Sequence, residues 1–366
     1  MARQIESAHK NGDKRFNLIT TLNHLKDRSV TRLRETGNMR TCMPLPNLNA
    51  SPPQANHFLS NQPCISPVDY DAPMKRVILY PQPSPVQAQL IKIFETWLGD
   101  AARALSTKSK KLYGTRQSSQ WKLHGRWSGC NYFARLVLQE VDAFPSVVLE
   151  TIHIERGKEN DEHFERDYIY EKAGRWFEGS PNGTMQLVII ALISHDPLLP
   201  WTSPSLPDWN PASPCHDWGM SPNQIKHSSA ATIATNIATQ DKNSSALTGV
   251  DLYLATASYP NHRGYSEHVW HGVFRADGQL LPPDYNSVAS DFALSQIFPQ
   301  VIGSPEYNAL NELRIPVNDL MTTLPRAIVQ DRYAQAEFVA RDAQQKAREC
   351  RSQGSPRYEH ERNGLA

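Results

Sequence analysis

Glu150 closes an apolar run. The stretch "FPSVVLET", residues 144–151, sets Val147, Val148 and Leu149 where a buried strand wants them and a carboxylate at its inner end. A buried carboxylate is costly unless something pairs with it. Further along, in "EHFERDYIYEKAGRWFEG", the residues Phe164, Tyr168, Lys172 and Trp176 fall on one broad helical face at about 100° per residue. Lys172 therefore lies inside an apolar stripe, and its ammonium either runs past the stripe to water or reaches a buried acid. With the helix packed back across the sheet, Glu150 is the candidate partner. The competing expectations are ordinary ones. Glu150 could be a strand-end carboxylate held by a backbone or hydroxyl group, and Lys172 a surface partner of Glu165 or Asp161.

Other residues of chemical interest are weaker. "HVWH" holds His268 and His271, but residues three apart on a regular strand face opposite sides, and no third ligand is near in sequence. Core or surface histidines are the expectation there. "PCHDW" puts Cys215, His216 and Asp217 in a row, and adjacency of that kind does not build a nucleophile–base triad. Walker, GxGxxG and GxSxG patterns are absent. "KSKKLYGTR" is basic and carries a tyrosine, which suits phosphate contact or nuclear import, although a solvated charge run is the commoner meaning of such a stretch.

The bulk composition restricts the partners. Across 366 residues, 38 basic side chains meet 37 acidic ones, so no global field attracts nucleic acid and any such contact rests on a local patch. Five scattered cysteines without a CxxC pair read as reduced thiols, not as a disulfide framework. The opening "MARQIESAHKNGDKRF" lacks the apolar core of a signal peptide, and no run approaches the roughly 18 apolar residues of a membrane helix. The expectation is an intracellular protein, cytoplasmic or nuclear, with no membrane partner and with Asn182 unmodified.

The elements that must position Glu150 and Lys172 follow from periodicity. Residues 1–80 are rich in Pro, Asn and Ser and read as a disordered N-terminal tail, with a short helix near Asn17–Arg34. "SPVQAQLIKIFETWLGDAARAL" is a capped amphipathic helix carrying Leu90, Ile91, Ile93, Phe94 and Leu98. "KKLYGT", "SQWKLHGRW" and "NYFARLVLQ" read as strand pieces of an antiparallel meander, and "PSVVLET" follows as a more fully apolar strand. A helix with an acidic start at Asn160–Glu162 and a stop at Gly179 leads to "TMQLVIIALI", a strand expected to lie parallel to the one holding Glu150. Residues 197–246 read as a long flexible insertion, "GVDLYLATAS" and "EHVWHGVFRA" as two late strands, and 321–366 as a C-terminal amphipathic helix and tail. The domain thus spans about 81–320. Its class is α/β, with the order α-β-β-β-α-β around a mixed central sheet.

The segment from "FPSVVLET" through "AGRWFEGSPNGTMQLVIIALIS" resembles the core of the PD-(D/E)XK nuclease-like superfamily. The nearest branches are those of uncharacterised fungal proteins and of bacterial restriction-endonuclease relatives. The likeness lies in Pro145, Glu150, Ala173, Trp176 and Val188–Ile190 and covers about residues 120–195. The resemblance implies a restriction-endonuclease-like αβββαβ core in which acids hold Mg²⁺ and a lysine assists the attacking water. Carried over, Glu150 is the metal carboxylate. Ile152 occupies the usual lysine position, so Lys172 would act from the helix. The first acid falls at Asn131 by the spacing of one branch and at Ser146 by that of the other, and neither is charged. The resemblance therefore implies a degenerate site: Glu150 and Lys172 as catalytic residues, Glu150 and Asn131 toward the metal, with Mg²⁺-dependent phosphodiester hydrolysis as any residual activity. A further carboxylate, such as Glu140 or Asp142, should then stand close by. The alternative is a non-catalytic module on the same fold that binds nucleic acid or protein.

Overall fold

Ser84 starts the first long helix with a reciprocal cap. Its hydroxyl accepts from Gln87 N, and the Gln87 amide oxygen accepts from Ser84 N. In the computed structural model of the chain this helix, α1, runs Pro85–Lys108. The residues described are 41–44, 68–71, 76–79, 83–108, 112–128, 130–155, 171–196, 198, 218–242, 246–256, 266–282 and 308–353. The chain divides into two units at Pro81. In the first unit, strands β1 (Thr41–Pro44), β2 (Val68–Asp71) and β3 (Arg76–Leu79) pair antiparallel, with β3 between the other two. These segments are strand where the sequence reads as tail. Val77 and Ile78 give β3 the β-branched content that favours a ladder. The helix near Asn17–Arg34 lies outside the described residues.

The second unit is built on a six-stranded mixed sheet. β4 (Tyr113–Lys122), β5 (Asn131–Glu140) and β6 (Val147–Glu155) form an antiparallel meander. A helix α2, described over 171–178, then returns the chain to β7 (Leu187–His195), which runs parallel to β6. β8 (Leu247–Thr256) and β9 (Ser266–Arg275) add two antiparallel strands. The order α-β-β-β-α-β is thus realised from α1 to β7. "KKLYGT" and "SQWKLHGRW" are not separate strands. They join as β4, and the ladder merely skips at Ser118, whose φ is 49°.

Alternation along the strands gives the sheet two faces. Leu149 of β6, Ile189 of β7 and Leu252 of β8 pack with Phe94 and Leu98 of α1 and with Leu324 and Ile328 of the C-terminal helix. Val148, Glu150 and Ile152 point the other way, where α2 lies. All nine residues of β7 are buried, as a central strand covered on both faces requires. Across β6 itself, the Gln87 amide donates to Thr151 Oγ1 at 3.1 Å, fixing the start of α1 against the strand that carries Glu150.

The insertion at 197–246 is not a loop throughout. Residues Pro222–His227 form α3, with a full capping box between Ser221 and Gln224, and Ala230–Lys242 form α4. Ile233, Ala234 and Ile237 of α4 pack against Ala336, Ala340, Ala343 and Ala347. Those alanines belong to α6 (Val317–Gln353), which follows a short α5 (Asn308–Asn311). Asn223, Gln224, Thr232, Thr235, Thr239 and Gln240 make the solvent side of α3 and α4, and the Pro-rich part of the stretch, 199–217, lies outside the described residues. α6 also begins earlier than the sequence suggests and runs through Pro325. Gly278, in the turn after β9 with φ 85°, allows the Pro325 carbonyl close approach, because a Cβ there would sit 2.5 Å from that oxygen. Among the described residues, no helix is long and apolar enough to cross a membrane.

Candidate functional site

The strand and helix bring Glu150 and Lys172 together. Lys172 Nζ lies 2.9 Å from Glu150 Oε2, and both side chains are almost wholly buried, at 6% and 1% exposure. The other carboxylate oxygen, Oε1, accepts from Trp176 Nε1 at 2.9 Å. One turn of helix separates Lys172 from Trp176, so α2 presents both donors on the face turned to β6. Gly179 holds that helix in place. Its N–H donates to the Arg175 carbonyl, its own carbonyl accepts from His124 N, and a Cβ would collide with Leu123.

Aromatic rings cluster around Trp176. Tyr132 and Phe144 stand 6.0 and 6.4 Å from Trp176, and Trp121 packs edge-on to Phe144. Next to it, the buried Arg175 guanidinium lies over the Trp127 ring, donates to the Tyr132 hydroxyl and pairs with Glu171. Glu178 receives Trp127 Nε1 and Arg126 at the mouth of this cluster. Apolar rings lower the local dielectric, which strengthens the Glu150–Lys172 attraction and raises the cost of separating it.

The remaining expected residues do not join them. Ser146 donates its hydroxyl to the Leu138 carbonyl at 3.1 Å, so its side chain is spent on the β5–β6 connection. Asn131 is the first residue of β5, opposite Lys122 of β4, while β5 pairs with β6 only over Leu136–Leu138. Its side chain lies outside those described. Glu140 falls beyond the last β5–β6 pair, and Asp142 is exposed in the following turn with φ 64°. Among the described residues, Glu150 belongs to no group of three or more carboxylates, histidines or cysteines placed as metal ligands would be. A single carboxylate whose oxygens face an ammonium and an indole N–H does not make the oxygen cage that Mg²⁺ needs. Glu165 and Asp161, the surface alternatives for Lys172, lie outside the described residues.

Two other groups do converge. His153, His195 and Asp331 place ligand atoms within 4.8 Å of one another on the α1–α6 side of the sheet, and Asp251, His268 and His271 do so across β8 and β9. The pairing of Leu252 with Trp270 is followed directly by that of Tyr253 with His268, so β9 carries one extra residue at this point. That bulge overturns the expectation for "HVWH". It sends Val269 and Trp270 together into the core and leaves His268 and His271 on the same side. His268 Nε2 and His271 Nδ1 stand 2.8 and 2.6 Å from Asp251 Oδ1. Burial alone would raise the Asp251 carboxyl, but hydrogen bonds and charge from the two imidazoles hold it below the usual value. Neither the bulge nor the cross-strand acid is visible from local spacing.

Compared with known proteins, the chain matches no family model, no curated protein and no solved structure.

Proposed function

We propose that this chain is a PD-(D/E)XK-like protein whose central acid and lysine have become a buried structural pair. On this reading the domain serves as a non-hydrolytic interaction module for nucleic acid or protein. The observation that carries the proposal is the double engagement of Glu150: Lys172 on one oxygen and Trp176 on the other, with almost no exposure. A metal would have to displace the ammonium and enter with one protein carboxylate, which is a weak oxygen ligand set for Mg²⁺. The α-β-β-β-α-β order and the parallel β6–β7 pair support the kinship, since that order is what the resemblance implies.

The test is direct. The full chain, incubated with Mg²⁺ or Mn²⁺ and with single- and double-stranded DNA and RNA, should leave every substrate intact. Calorimetry should give no Mg²⁺ binding that depends on Glu150. Metal-dependent cleavage that disappears in Glu150→Gln would overturn the proposal and restore phosphodiester hydrolysis, with Lys172 beside the nucleophile.

A further inference from the structure

The β8–β9 end of the sheet carries a group of a different chemical kind. Asp251 and Tyr253 share the face of β8 that continues from Ile190 and Leu192 of β7, and Ile190 is in turn opposite Glu150 of β6. The trio therefore lies on the same side of the sheet as the buried pair, two to three strands away, or about 10–15 Å at ordinary strand spacing. Here the face is partly open. Side-chain exposure is 38% for His268, 25% for His271 and 15% for Asp251.

The opposite face explains how the two imidazoles are held. Val269 and Trp270 both enter the main core, and Gly272 leaves the room that the Trp270 ring fills. The Tyr253 ring lies 5.0 Å from that of His268, tilted by 39°, and limits its rotation. Both histidines are therefore positioned from behind by packing, and both present a ring nitrogen to one carboxylate oxygen.

We propose that Asp251, His268 and His271 form a zinc site with an open fourth position. Two imidazoles and a carboxylate are the donor set of three-ligand zinc centres, and solvent access leaves room for a water as fourth ligand. Bond lengths near 2.0–2.2 Å would set tetrahedral ligand atoms roughly 3.3 Å apart. The present N···O distances of 2.6 and 2.8 Å reach that spacing by a shift of roughly half an ångström in each side chain. Nitrogen ligands select a borderline transition ion over Mg²⁺, so this site is chemically separate from anything Glu150 could hold. The inner group is a poorer candidate. Asp331 is already bonded by Ser84 and Gln335, and Arg332 adds a positive charge beside it.

The experiment uses the full chain, stripped with a chelator and dialysed. Titration with Zn²⁺ by calorimetry should give one ion per chain with a dissociation constant in the micromolar range or tighter. Co²⁺ should give the intense visible bands of a four-coordinate nitrogen–oxygen site, and excess Mg²⁺ should not compete. His268→Ala, His271→Ala and Asp251→Asn should each weaken zinc by at least about tenfold, since even outer-shell partners are worth that much. Circular dichroism confirms that each variant is folded, and histidine NMR of the unaltered chain gives a second readout, with zinc-induced shifts confined to two imidazoles. No stoichiometric uptake would overturn the proposal and leave a purely hydrogen-bonded trio. Uptake that is unchanged in both His268→Ala and His271→Ala would overturn it equally, by placing the ion elsewhere.

Discussion

Lys172 and Trp176 hold Glu150 by different means, and each can be removed without the other. Replacing Lys172 by Met deletes the ammonium that lies 2.9 Å from Oε2 and leaves a buried carboxylate with an indole as its main remaining donor. Breaking a buried pair from one side costs about 3–5 kcal/mol. Trp176→Phe keeps most of the ring but removes one charge-assisted hydrogen bond, worth about 1.5–3 kcal/mol. Substituting both ends, Glu150→Leu with Lys172→Met, removes the orphaned charge as well and should regain most of the loss. Urea denaturation of the three variants measures this series. If Lys172→Met cost less than about 1 kcal/mol, Glu150 would have another means of compensation and the scaffold role would fail. This pair was legible in the sequence because each member is costly alone, and two unexplained costs on facing elements point to one another. The Trp176 donor was less legible, since its stripe position accounts for the ring without revealing where the N–H goes.

Small residues make α4 and α6 fit closely. Ala336, Ala340, Ala343 and Ala347 recur at spacings of four, three and four, which keeps one seam of α6 facing Ile233 and Ile237. Ala340→Leu inserts volume into a position with no exposure, and overpacking of this kind costs about 1–3 kcal/mol. A lower melting temperature together with faster hydrogen exchange over 230–242 is the expected result. Unchanged exchange in α4 would mean that the seam does not hold that helix. Arg332 reinforces the same contact with a two-pronged bond to Asp241, at 2.8 and 2.7 Å, and with a third bond to the Asp196 carbonyl. The pair α3 and α4, inside the stretch read as a flexible insertion, was the main element misread from sequence. Their apolar contribution is a few Ile and Ala side chains, too sparse to register as a stripe amid Asn, Thr and Gln, although "SPNQ" at 221–224 was already a complete capping signal. Helix α1 and the strands β5–β8 were legible for the converse reason, being apolar enough that their periodicity needs no tertiary context. The β9 bulge was not, because it arises from which residues β8 sets opposite, and single-chain alternation carries no record of a cross-strand partner.

At the scale of the whole second unit, β6 joins the two sides of the sheet, turning Glu150 toward α2 and Thr151 and His153 toward α1 and α6. Asp331 sits at this second junction. It reaches Ser84 at the head of α1 and Gln335 one turn along its own helix, with His153 and His195 within 4.8 Å and Arg332 adjacent. Burial pushes its carboxyl up from 3.8 to about 6, more than its two hydrogen bonds and the Arg332 charge draw it down. The folded chain therefore holds this proton more tightly than the unfolded chain. The sign follows from that: stability from this group is complete below the unfolded value and is lost as pH rises from about 4 through about 6. A rise of this size corresponds to something on the order of 3 kcal/mol. Asp331→Asn removes the ionisation while keeping a similar shape, so the variant should gain on the unaltered chain across that window and level off above it. Unfolding free energies of both proteins at matched pH between 4 and 8 cancel the titrating groups remote from Asp331 and leave its ionisation together with that of the adjoining His153 and His195. A difference that stays flat with pH would show that the Asp331 carboxyl is no harder to ionise in the folded chain than in the unfolded one, and the junction between α1, α6 and the sheet would then carry no buried proton.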